Sequence, residues 1–201
     1  GHGLYEQGLP HEHIGTALGE AAGMAVHESQ SRLWENQVAR SPEFWKFWEP
    51  VYRETFDQQL SGVSSHDFYL AVNSVALNPI RVDSDEVTYN LHILLRFELE
   101  KALFDGSLAV SDLPEEWNRL SEQIVGLRPR NDSEGVLQDV HWSGAAFGYF
   151  PSYCLGNLLA AQLWYALLEQ VPTVPEEMAK GNFSPVLDWL RTNVHQHGRR
   201  R

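Results

Sequence analysis

Apolar residues in this chain recur three, four and seven positions apart and almost never alternate, which constrains the fold more than any other feature. That spacing puts them on one face of a helix. Thr16 to Arg40, rich in Ala and straight-chain residues, reads as a long helix, in which Ala21, Ala22, Gly23 and Ala25 let a neighbouring backbone come close. Ser41 followed by Pro42 and Glu43 is a start signal, and Phe44, Trp45, Phe47, Trp48, Val51, Tyr52 and Phe56 follow as an apolar face. Asp83 with Glu86 has the capping-box spacing. The helix it opens is expected to run to about Phe104, stop at Gly106, and bury Val87, Leu91, Leu94, Leu95 and Glu98 on one face. Further helices are expected over Glu115–Val125, Leu155–Glu169 and Pro185–His195, and a short one at the start of the chain, over 4–7. Val136–Trp142 and Asn78–Val82 read as short extended pieces. The fold class is therefore all-α with at most a little β. No Gly/Ser/Pro-rich linker or internal repeat divides the chain, so residues 1–201 are expected to form a single helical domain.

Composition narrows the function. With 15 Lys and Arg against 27 Asp and Glu, the net charge is −12, so phosphate backbones repel the chain and nucleic acid is an unpromising partner. The basic HGRRR run at 197–201 is too short to change that. A single cysteine, Cys154, leaves no internal disulfide and no cysteine-based zinc site. No apolar run approaches the ~20 residues of a membrane span. No basic-then-apolar leader opens the chain, so a cytoplasmic location is expected.

One pair of residues suggests chemistry. His2 lies on the short first helix and Glu28 on the second, 26 positions later. In zinc peptidases of the H-E-x-x-H type, two histidines one turn apart bind the metal, and in one branch a glutamate from a second helix, some two dozen residues on, completes three ligands. Arg32, one turn after Glu28, is placed to orient it. His27 points about 100° away from Glu28 and reads as support for the site or as packing.

Four stretches then carry a family resemblance. His27–Asn36, HESQSRLWEN, is similar to the HESQSR-x-WEN segment of the thermostable Taq-type zinc metallocarboxypeptidases. Ile80–Tyr89 resembles their IRxxADE-x-TY motif, with Ser84 in place of the usual alanine. Gly135–Trp142 resembles GxxQDxHW, and Phe147–Tyr153 with Leu155, Gly156 and Asn157 resembles the stretch after it. The likeness implies a helical, zincin-like and neurolysin-like metallopeptidase that removes single residues from peptide C-termini, with zinc as its metal, cobalt as an alternative and a homodimeric assembly. It also implies that Gly1 and His2 are the last two positions of H-E-x-x-H. On that reading the chain is a fragment truncated at both ends, without the first histidine or the general base, and is expected to be inactive alone.

The remaining candidates follow from chemistry and from that likeness. His2 and Glu28 are the expected metal ligands. His141, Tyr149 and Tyr153 are the expected transition-state donors, because hydroxyl and imidazole groups aimed at a developing oxyanion stabilise it. Arg81, His92, Arg96 and Gln138 are the expected substrate-binding residues, since arginine grips a carboxylate with two parallel hydrogen bonds. For Arg81 an ion pair to Asp83, Asp85 or another acid competes with that role. Asp139 reads as a loop or metal-supporting residue, and Trp34, Trp142 and Trp164 as packing. His11, His13, His66, His195 and His197 receive no role. A non-catalytic helical association module and a related zinc endopeptidase or dipeptidyl carboxypeptidase are the competing readings.

Overall fold

The computed structural model describes residues 1–200. Its helices are α1 (His2–Gly8), α2 (Met24–Arg32), α3 (Pro42–Thr55), α4 (Ser65–Val72), α5 (Tyr89–Asp105), α6 (Leu113–Leu120), α7 (Pro151–Gln170), α8 (Val174–Met178) and α9 (Ser184–Asn193). Short 3₁₀ turns and two π-helical stretches, Leu33–Ala39 and Ser121–Val125, fill much of the rest. No strand occurs among the described residues, so both expected extended pieces are corrected. Val136–Trp142 is a succession of turns, and the other piece ends in the 3₁₀ turn Arg81–Asp83.

The sequence reading expects one domain. The chain parts into two compact units, one of Gly1–Asn73 with the residues from Leu155 onward, the other of Ser74–Cys154. Each is described by itself.

In the first unit the long helix expected from Thr16 begins only at Met24. Gly23 before it has φ +143°, a conformation that L side chains rarely adopt, and this breaks the helix. At Leu33 α2 widens into the π stretch. Ser41 caps α3 as expected, its Oγ accepting from the Phe44 amide at 3.1 Å, with Pro42 in the first turn. α4 opens on a capping box between Ser64 and Asp67, and Phe68 stacks on Trp45 of α3 with centroids 4.9 Å apart. The core of this unit is Leu33, Val38, Ala160, Leu167, Val174, Met178, Val186, Trp189 and Leu190.

In the second unit α5 starts six residues later than Asp83, with Thr88 at its N-cap, and Asp85 closes the turn before it, its Oδ1 accepting from the amides of Val87 and Thr88, both at 2.9 Å. Gly106 ends it at φ +81°, as expected. The buried face differs from the expected one. Val87 precedes the helix and is 66% exposed, and Leu94 is 45% exposed. Tyr89, His92, Ile93, Leu95, Arg96, Leu99 and Glu100 face inward. A polar row at i, i+4 and i+8 (His92, Arg96, Glu100) thus lies inside the unit, alongside Leu95, Leu99, Leu113, Trp117 and Val125.

Candidate functional site

The two candidate ligands meet within the first unit. His2 Nε2 of α1 lies 3.4 Å from Glu28 Oε2 of α2. Two ligands each about 2.0–2.1 Å from a tetrahedral ion stand about 3.4 Å apart, so this spacing suits one imidazole and one carboxylate sharing a metal. A nitrogen and an oxygen donor also suit zinc. Among the described residues, no third His, Cys, Asp or Glu completes a metal-binding group with them.

Close backbone approach makes the pairing possible. A Cβ added at Gly156 of α7 would stand 2.6 Å from Glu28 Cγ, and one at Gly1 would meet the Gln30 carbonyl oxygen at 2.3 Å. Glycine at both positions therefore lets α2 be approached closely there. The Glu28 carboxylate is held by Arg32 Nε at 3.0 Å and Ser31 Oγ at 3.1 Å, so Arg32 takes the orienting position expected for it. His27, beside Glu28 in sequence, turns to α1. Its Nδ1 lies 2.6 Å from His2 Nδ1 and its Nε2 2.7 Å from Glu6 Oε1.

The second unit gathers most of the other candidates around Asp139. Arg81 donates from Nη2 to Asp139 Oδ1 at 2.6 Å and from Nη1 to the Tyr89 hydroxyl at 2.7 Å. Arg96 donates from Nε to Asp139 Oδ2 at 2.6 Å and from Nη1 to the His92 carbonyl at 2.8 Å. Gln138 accepts from the Arg81 amide at 2.8 Å and donates to the carbonyls of Pro79 and Glu134. Arg81, His92 and Arg96 are buried, Arg96 completely. These are the contacts that the four residues expected to bind substrate make within the unit. Both guanidinium groups pair with Asp139, the His92 ring lies below the surface, and the Gln138 amide holds a turn. For Arg81 the competing ion pair is the arrangement seen, with Asp139 as the acid.

Charge follows this geometry. Burial works against the Asp139 carboxylate, yet the Arg81 hydrogen bonds and the two arginine charges hold it below its usual range. Arg96 is pushed down to about 10, first by burial, with Asp139 opposing. For Arg81, burial is outweighed by Asp139 and the value is raised. His92 falls to about 4, through burial and then the Arg96 charge. Two cations and one anion leave this cluster net positive, and it adjoins His141.

His141 and Tyr153 are brought together, imidazole Nε2 to phenol oxygen at 3.0 Å. Burial lowers the His141 value, and Arg81 and Arg96 lower it further against Asp139. A neutral His141 can donate to or accept from Tyr153. Tyr149 stands beside both, its ring centroid 5.5 Å from His141 and 5.3 Å from Tyr153. The three expected oxyanion donors therefore form one cluster.

Sequence reasoning missed Glu100 altogether. This buried carboxylate accepts from Trp142 Nε1 at 2.7 Å and from the Gly148 amide at 3.0 Å, so it ties both ends of the loop between His141 and Tyr149. A polar residue every fourth position in a largely apolar helix was the available signal.

The family described as carboxypeptidase Taq (M32) metallopeptidase matches residues 1–201. The chain belongs to that family. It is 52% identical over 200 residues to "Thermostable carboxypeptidase 1" of Thermus thermophilus, covering all of this chain and 39% of that protein. "Carboxypeptidase 1" of Bacillus subtilis is 43% identical over 201 residues, covering 100% and 40%. Among solved structures, the M32 carboxypeptidase from Deinococcus radiodurans R1 has a TM-score of 0.96 at 48% identity, covering 100% of this chain and 41% of that one. The chain thus spans about 40% of the length of the curated relatives it matches. Membership makes it part of a metallopeptidase family with an all-helical fold, and no helix among its described residues is long and apolar enough to cross a membrane.

Proposed function

We propose that this chain supplies two metal ligands and the oxyanion donors of a zinc metallocarboxypeptidase that releases C-terminal amino acids from peptides. The observation that carries this reading is the 3.4 Å approach of His2 Nε2 to Glu28 Oε2, at the spacing two ligands of one ion adopt. Zinc suits the imidazole–carboxylate set, and cobalt is expected to substitute. Bound there, the ion would acidify a water and polarise the scissile carbonyl. Arg32 and Ser31 fix the Glu28 carboxylate. In the second unit Tyr153, paired with His141 and flanked by Tyr149, donates to the oxyanion. Arg81, Arg96, His92 and Gln138 act through Asp139 and its loop rather than on substrate. A cytoplasmic enzyme acting on peptides with a free C-terminus completes the proposal.

The test is metal titration of the purified 201-residue chain by calorimetry. Zinc binding is expected, weakened in both His2→Ala and Glu28→Ala. If neither substitution weakens it, the metal assignment fails. The 201 residues hold no H-E-x-x-H glutamate to act as base. A preparation free of host peptidases is therefore expected to release no amino acid in a chelator-sensitive way.

A second reading is association, which includes the homodimer. Val51, Tyr52 and Phe56 of α3 and Leu70 of α4 are exposed apolar side chains. Sedimentation of the chain and of Phe56→Ser distinguishes a self-associating face from a monomer.

A further inference from the structure

We propose that Glu6 and His27 are positioning residues that set the tautomer of His2 and keep its Nε2 lone pair bare for a metal ion. The inference rests on the reading of His2 and Glu28 as ligands. Four side chains form an unbroken line that alternates between two helices: Glu6 of α1, His27 of α2, His2 of α1 and Glu28 of α2. The successive separations are 2.7, 2.6 and 3.4 Å. Glu6 stands four residues after His2, one turn along the same face of α1, and His27 reaches across from α2 to bridge them.

Proton placement along the line follows from what each atom can do. An ionised carboxylate only accepts, so at 2.7 Å His27 Nε2 carries a proton and donates it to Glu6. A neutral imidazole has one ring proton, so His27 Nδ1 is left as an acceptor. With His27 neutral, His2 Nδ1, 2.6 Å away, is the donor, which is the arrangement a metal ion on His2 Nε2 requires. That uses the one ring proton of His2 and leaves Nε2 with a bare lone pair. Nε2 faces Glu28 Oε2, which is also an acceptor, across 3.4 Å. Two facing acceptors are best satisfied by a cation between them. The outer partner of a metal-binding histidine commonly fixes its tautomer in this way. Here the partner is a second histidine, itself fixed by a carboxylate, and Tyr5 braces that ring edge-on with centroids 5.3 Å apart.

The ¹⁵N-labelled, metal-free 201-residue chain tests this directly. Long-range ¹H–¹⁵N imidazole spectra at neutral pH are expected to show His2 protonated at Nδ1. In Glu6→Ala, a change at a half-exposed surface residue, and in His27→Leu, His2 is expected to move toward Nε2–H, the common form of free histidine. Zinc affinity should fall about tenfold or more with that move. His27→Gln, whose amide oxygen can accept from His2, should recover part of it, which a merely space-filling role for His27 would not require. A wild-type His2 protonated at Nε2 overturns the proposal, as does an unchanged tautomer in Glu6→Ala. Loss of zinc binding in His2→Ala with none in Glu6→Ala or His27→Leu removes the relay and leaves the metal reading standing. No loss in His2→Ala removes both.

Discussion

Asp139 is a largely buried carboxylate paired with two buried arginines. Its two oxygens are shared between Arg81 and Arg96, and its side chain is 11% exposed. Removing that charge while keeping the shape leaves two buried cations facing each other. Breaking a buried pair in this way costs about 3–5 kcal/mol. Asp139→Asn is therefore expected to lower stability by about that amount, read from the urea midpoint of the chain. Little change in the midpoint would mean that water reaches the cluster. Glu100 is the complementary case, a buried carboxylate with no ion pair among the described residues. Glu100→Gln replaces one acceptor oxygen with a donor, so one of the bonds to Trp142 and Gly148 must be lost. A displaced Trp142 indole N–H resonance is expected.

At the scale of elements, close helix approach brings His2 and Glu28 together. α2 is met by α1 at Gly1 and by α7 at Gly156. Gly156→Ala would drive a methyl into the Glu28 side chain from a rigid helix backbone. The carboxylate would have to leave Arg32 and Ser31. Weaker zinc binding with little loss of helicity is expected, since alanine favours the helix by about 1 kcal/mol over glycine. Affinity unchanged in this variant would show that α2 and α7 can separate at no cost to the site. The elements themselves were largely legible. Ser41–Pro42 and Gly106 mark ends through local backbone chemistry, and the structure keeps both. The expected start at Thr16 was misplaced, because a run of Ala suggests helix while Gly23 at φ +143° interrupts it. The inward face of α5 was misread, because periodicity ranks leucine above histidine and arginine. Its buried row is polar because Asp139 and loop groups from 40 or more positions away are there to satisfy it.

For the molecule as a whole, pH is the lever that acts on both units. Each contains a buried histidine held well below its ordinary 6.5. His195 in the first unit and His92 in the second both stand at about 4, in each case through burial first and then a nearby arginine, Arg191 and Arg96 respectively. Between pH 6.5 and 4 the unfolded chain binds these protons and the folded chain does not, so acid favours unfolding across that window. The contribution is complete above pH 6.5 and is lost as pH falls through about 4. Thermal melting followed from pH 7.5 to 4.5 is expected to show a falling midpoint. His195→Gln, whose side chain still reaches toward the Gln30 amide, should flatten the first unit's share of that slope. A flat profile in the parent chain would contradict the burial of both rings.

The sequence by itself determined the helical class, most helix ends and the family. Periodicity and capping act over a few residues, and four ordered motifs survive in the text of the chain. It also singled out His2 and Glu28 as a pair, and the structure brings them within 3.4 Å. Only the tertiary structure decided what the polar residues do. Asp139 pairs with Arg81 and Arg96, Glu100 ties the loop between His141 and Tyr149, and His27 lies between Glu6 and His2. Each of these depends on which acceptor lies within about 3 Å of a given donor, a distance set by packing between segments 21 to 58 positions apart in the chain.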